Sequence, residues 1–165
     1  MRKWSLRVIL LAALIGAGWW CWNRFFPSPE HVIRRRLGEV ARTASFFPNE
    51  GPLAKAANSQ KLANFCTTDV EIILDLPGHS ETLSGQKDLF ETALGARSLV
   101  DSLSVEFLDI NIILGSDKST AVANLTARAK VTGEKEYLVQ ELRFILKKIG
   151  RAWLINRIET VKTLS

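Results

Sequence analysis

A chain of 165 residues has room for one domain with a proper core and one appendage. Its formal charge of +5 is unevenly placed: residues 1–29 hold four basic residues (Arg2, Lys3, Arg7, Arg24) and no acidic one, while residues 30–165 hold the other 18 basic and all 17 acidic residues. The domain is therefore near neutral and its basic runs lack interleaved aromatics, which argues against a nucleic-acid partner. Cys21 and Cys66 stand in no CxxC or Cys/His spacing, so zinc and thiol redox chemistry have no support. No glycine-rich phosphate loop and no supported Ser/His/Asp arrangement is present, and no cofactor is implied.

Val8 to Trp22 is an uncharged apolar run of fifteen residues. Alone it is short for a bilayer core of about 30 Å. Residues 1–26 together are long enough for a single-pass transmembrane anchor if Arg7 and Arg24 snorkel. Trp19, Trp20, Trp22 and Arg24 then mark one membrane interface and Trp4 the other. A cleaved signal peptide would want a small-residue site after the apolar run. Here bulky aromatics follow Gly16, Ala17 and Gly18 at once, and no A-x-A pattern stands after them. Arg2, Lys3 and Arg7 favour a cytoplasmic N-terminus; Arg24 and Arg34 to Arg36 pull the other way. The N-in reading puts the domain outside the cytoplasm, beside the lipid bilayer in the periplasm. Residues 27–29 (Pro-Ser-Pro) are the linker, and residues 30–165 the domain.

Ser28 is a candidate N-cap, with Pro29 at the first helical position. Ile33, Leu37, Val40, Ala41, Ala44 and Phe47 predict a first helix, broken at Pro48 to Gly51. A second helix is predicted from Pro52 to Cys66. Val70, Ile72, Leu74 and Leu76 then alternate with Glu71, Ile73 and Asp75, which predicts a strand; Pro77 to Ser80 is a turn and Glu81 to Leu83 a short return strand. A third helix is predicted over Gln86–Ala96, and long strands over Ser102–Leu114, Thr120–Val131, Tyr137–Lys148 and Ala152–Val161.

The strands share a consistent hydrophobic register. With a turn over Gly115–Lys118, Ile112 faces Ala121. With a turn over Thr132–Lys135, Ala129 faces Leu138 and Leu125 faces Leu142. With Ile149-Gly150 as a two-residue turn, Leu146 faces Trp153, Phe144 faces Ile155, Leu142 faces Arg157 and Gln140 faces Glu159. One apolar face results: Leu108, Ile110, Ile112, Ala121, Ala123, Leu125, Leu142, Phe144, Leu146, Trp153 and Ile155. A one-residue slip would turn every one of these to water.

Phe65 to Val70 before the first strand, Leu83-Ser84-Gly85-Gln86 before the third helix, and Gly150 to Ile155 near the end carry a resemblance. The pattern resembles the nuclear transport factor 2-like superfamily, which includes SnoaL-like and ketosteroid isomerase-like domains. The resemblance implies an α+β fold: three N-terminal helices packed on a strongly curved, mostly antiparallel sheet, a cone with an open end. Isomerases of this kind use a carboxylate base on the first strand and a tyrosine and a protonated aspartate as oxyanion donors. Here Leu74 (or Ile73, in the adjacent register) takes the base position, Asp75 has the opposite parity, and the only tyrosine, Tyr137, falls on the outer face. The resemblance carries over no catalytic residue.

Three groups remain as candidates. Gln140, Arg157 and Glu159 read as polar residues at the mouth of the cone, as a structural ion pair or as a seat for a small apolar or anionic ligand. Val122, Ile145, Leu154 and Ile158 read as an apolar patch on the outer sheet face, which suggests a homodimer. Trp4, Trp19, Trp20, Trp22 and Arg24 are expected to contact the bilayer. A membrane-anchored, non-catalytic binding or assembly module is the leading expectation; a SnoaL-like small-molecule enzyme is the alternative.

Overall fold

Helix α1 spans Pro29–Ala44. Ser28 caps it: its Oγ accepts from the His31 N–H at 3.4 Å and its carbonyl from the Val32 N–H at 3.2 Å. Its apolar stripe buries Ile33, Leu37, Val40 and Ala41. The helix stops three residues short of the expected Phe47. Ser45 folds both its N–H and its hydroxyl back onto the Ala41 carbonyl, and Phe46 leaves to pair with Leu103, at 2.8 and 3.0 Å. These facts come from a computed structural model, which describes residues 28–76 and 79–161. The expected anchor, with Trp4, Trp19, Trp20, Trp22 and Arg24, lies outside the described residues. Among the described residues no helix is long and apolar enough to cross a membrane.

Helix α2 (Pro52–Ala63) is followed by β1 (Cys66–Leu76), β2 (His79–Ser84), α3 (Gly85–Leu99), β3 (Leu103–Leu114), β4 (Thr120–Val131), β5 (Leu138–Ile149) and β6 (Ala152–Thr160). Cys66, expected at the end of a helix, is instead the first residue of β1. The strands form one curved sheet in the order β2-β1-β6-β5-β4-β3. All neighbours are antiparallel except β1 and β6, which run parallel.

One apolar row crosses the whole sheet: Leu83, Ile72, Ile158, Phe144, Ala123 and Ile112 are successive register partners from β2 to β3. Phe107 adds an edge-on contact to Phe144, with ring centroids 5.5 Å apart. Ile33, Leu37, Ala123 and Leu146 have essentially no accessible surface. A water-sized void would expose its walls, so the floor of the cone is filled by hydrocarbon.

The expected register holds across β4 and β5, where Ala129 faces Leu138 and Leu125 faces Leu142. It is corrected at four places. Between β3 and β4 the pairing is two residues off, with Ile112 opposite Ala123. A bulge between Leu108 and Asn111, with Asp109 at φ 52°, then reverses parity, so Leu108 faces out and Phe107 takes the inner position. Between β5 and β6 the turn is Gly150-Arg151, because Gly150 adopts φ 60°, a left-handed conformation suited to glycine. Leu146 therefore faces Ile155. A second bulge at Asn156 then reverses β6, placing Ile158 inward opposite Phe144 and Arg157 outward opposite Ile145.

Arg97 near the end of α3 is a buried cation at 2% exposure. Its guanidinium grips both Glu50 oxygens at 3.0 and 2.7 Å, donates to the Thr43 carbonyl and lies 4.9 Å from the Phe46 ring centroid. It locks the loop after α1 to α3.

Candidate interface on the outer sheet face

The two bulges decide where the polar side chains go. Glu71 on β1 pairs in register with Arg157 on β6, Glu159 pairs with Arg143 on β5, and Arg143 pairs with Asn124 on β4. All five point away from the buried row. Arg157 Nη1 donates to Glu71 Oε2 at 3.0 Å and Arg157 Nε to Glu159 Oε2 at 3.1 Å. Arg143 Nη1 donates to Glu159 Oε1 at 3.1 Å, and its Nε to Asn124 Oδ1 at 3.2 Å. Glu71, Arg157, Glu159, Arg143 and Asn124 thus form one ladder across four strands, with two positive and two negative charges.

Apolar residues border it. Ile113, Val122 and Ile145 are register partners in the row that continues to Arg157 and Glu71. Leu154 pairs with Lys147 on the same face. At the β3 bulge the face opens into a groove of about 350 Å³ of mixed character, with Asp109, Asn111, Thr126 and Glu141 beside Leu125, Leu142 and Val161.

The expected mouth cluster is not assembled. Arg157 and Glu159 pair with each other, but on the outer face, whereas Gln140 lies opposite Ala127 on the inner one. Ile158 leaves the proposed apolar patch for the core, while Val122, Ile145 and Leu154 share the outer face, half-buried. Arg143 and Asn124 are outer-face residues by strand parity, whereas Glu71 and Ile113 were not anticipated there. The signal that could have placed them was Gly150 as the first turn residue together with a polar Asn156 in an apolar strand.

On the inner face Leu74 pairs with Glu81 of β2. Thr160, opposite Leu142, spends its hydroxyl on β1: it accepts from the Asp75 N–H at 2.7 Å and donates to the Ile73 carbonyl at 3.3 Å. Asp75 accepts from the Ser80 hydroxyl at 2.7 Å. Tyr137 is exposed, with Arg128 and Lys130 each 5.0 Å from its ring centroid. Burial pushes the Cys66 thiol up to about 12, despite the charge of Arg36, which draws it down. The thiol is therefore held neutral and unreactive.

This is the fold of the nuclear transport factor 2-like proteins, also described as cystatin-like. A protein of that description from Novosphingobium aromaticivorans superposes with a TM-score of 0.60 at 16% identity, covering 97% of this chain and 88% of its own. A second protein from the same organism, provisionally named a scytalone dehydratase, matches with a TM-score of 0.60 at 16% identity over 82% of this chain and 84% of its own. A Nostoc punctiforme domain of unknown function with a cystatin-like fold reaches 0.63 at 14% identity, over 84% and 80%. At such identities the likeness is one of fold. No protein-family model and no curated protein matches the sequence.

Proposed function

We propose that this chain is a membrane-anchored, non-catalytic binding or assembly module whose cone-shaped domain pairs with a second copy through the outer sheet face. The observation that carries the reading is the ladder itself. Its four charges neutralise one another within one subunit, so a second sheet can cover them without stranding an unpaired ion. Ile113, Val122, Ile145 and Leu154 supply the apolar contact beside it. An isologous pairing of this face with itself fits the twofold symmetry of most homodimers. The resemblance puts Leu74, or Ile73 in the adjacent register, where isomerases of this fold carry a carboxylate base, and neither is titratable. A small-molecule enzyme would need a titratable group there, with its pKa shifted for the task.

The test is the protein mass of the full chain in detergent micelles, measured by light scattering with the detergent contribution subtracted. The wild type is expected as a dimer and Ile145→Asp as a monomer. A monomeric wild type refutes the pairing, and a dimer unaffected by Ile145→Asp moves the contact elsewhere. Release of the chain from membranes by alkaline carbonate would refute the anchor.

A further inference from the structure

Strand β5 reaches further than the strand beside it. Its backbone groups alternate in direction. The Lys148 N–H donates to the Ser119 carbonyl on the β4 side at 2.7 Å, and the Glu141 carbonyl accepts from the Val161 N–H on the β6 side at 2.9 Å. By that alternation Val139, two residues before Glu141, also turns its N–H and C=O to the β6 side. β6 ends at Thr160, opposite Leu142, and Val161 is the last residue described beyond it. Among the described residues neither group of Val139 has a partner, so Val139 stands on open sheet edge.

The same edge carries apolar surface. Tyr137, Leu138 and Val139 are consecutive, and each is more than half exposed. Leu138 lies on the inner face, in line with Leu142 and Phe144, and Val139 on the outer one. Unpaired backbone beside exposed hydrocarbon is what an added strand covers.

The register selects the occupant. β5 and β6 pair so that Arg143 meets Glu159 and Leu142 meets Thr160. Carried on from the bond between Val161 and Glu141, the same count brings Lys162 to Gln140, Thr163 to Val139 and Leu164 to Leu138. Each pair matches in character: lysine meets a polar amide, threonine a β-branched valine, and leucine an exposed leucine on the inner face. Thr163 supplies the C=O and N–H that Val139 lacks. A strand from another molecule must first lose its freedom of motion, whereas this one is tethered at Val161, already in register.

We infer that residues 162–165 form a strap that prolongs β6 along the open edge of β5 and covers Leu138 with Leu164. Few contacts hold it. The hydrogen bonds of one residue pair and one apolar contact stand against the conformational freedom of the segment, so the strap opens and closes rather than locks. Closed, it withdraws the edge from other strands; open, it offers Val139 to them.

The experiment is disulfide trapping in the full chain, in detergent micelles, on a Cys21→Ser background. Leu138 and Leu164 fall on a non-hydrogen-bonded pair, whose Cα atoms lie about 4.5 Å apart, within the range a disulfide spans. Leu138→Cys with Leu164→Cys is expected to close an internal bridge on mild oxidation several-fold faster than the off-register pair Gln140→Cys with Leu164→Cys. Equal rates for the two pairs overturn the strap. A bridge between two molecules in place of the internal one assigns the edge to a second copy and overturns it as well. A second measurement leaves Leu138 in place: the Val139 amide should exchange several-fold more slowly in the wild type than in Leu164→Ser, followed by NMR. Exchange as fast in the wild type as in the variant overturns the strap.

Discussion

Replacing Arg97 with methionine removes the one buried cation that joins α3 to the loop after α1. The side chain is only 2% exposed, and it satisfies Glu50 twice and the Thr43 carbonyl once. Removing one partner of a buried pair costs about 3–5 kcal/mol, because the other charge is left uncompensated. The Glu50 side chain is 13% exposed and can draw in water, which puts the loss near the low end, about 3 kcal/mol. For a chain of this size that lowers the melting temperature by about 6–12 °C. The assay is thermal and urea unfolding of the full chain in detergent, followed by circular dichroism at pH 7. Arg97→Lys keeps the charge but loses the planar fork, so it should fall between the two. The effect also has a pH signature. Burial pushes the Glu50 carboxyl up, but hydrogen bonds from Asn58 and Arg97 and the Arg97 charge outweigh it and hold the carboxyl below its usual value. A carboxyl depressed in the folded state stabilises above its unfolded pKa and loses that contribution as pH falls through the folded value. The gap between wild type and Arg97→Met should thus be full at pH 7 and close on acidification. An Arg97→Met chain within about 0.5 kcal/mol of wild type at pH 7 would refute the reasoning.

Two further outcomes follow from single side chains. In a Cys21→Ser chain at pH 8, Cys66 should resist an aromatic disulfide reagent until denaturant is added; reaction of the native protein within seconds would contradict its burial. Asp117 accepts from the Ser119 hydroxyl and N–H and from the Thr120 hydroxyl and N–H, which lowers its carboxyl to about 2. Carbon NMR should find a titration midpoint near that value, with the turn's contribution complete above the unfolded carboxylate pKa of about 4 and lost as pH falls through about 2. A midpoint at the ordinary value would mean that the turn is open.

The inner face was readable because its signal is redundant. Ala121, Ala123, Leu125, Phe144, Leu146, Trp153 and Ile155 are all buried, and their alternation survives an error of two residues in a turn. A bulge is different, since one extra residue reverses every side chain beyond it. Asp109 and Asn156 do this in strands whose hydrophobic pattern tolerates either reading, because Leu108 and Phe107, or Arg157 and Ile158, stand side by side. The candidate site lies beyond the second bulge, so it inherited the error: Arg157 and Glu159 were rightly read as a pair and put on the wrong face. Arg97 was invisible for another reason. Its partners Glu50 and Thr43 are 47 and 54 residues away, and no local pattern announces a contact of that span.

The parallel pairing of β1 with β6 has a consequence for biogenesis. The first strand of the sheet must wait for the last before either has its full set of neighbours. Until residues 152–160 emerge, the helices with the first hairpin and the β3–β5 meander are two half-built pieces, each with raw hydrophobic surface. Folding of the sheet therefore completes only after β6 has been synthesised, and a chain truncated before Ala152 would persist with two aggregation-prone halves.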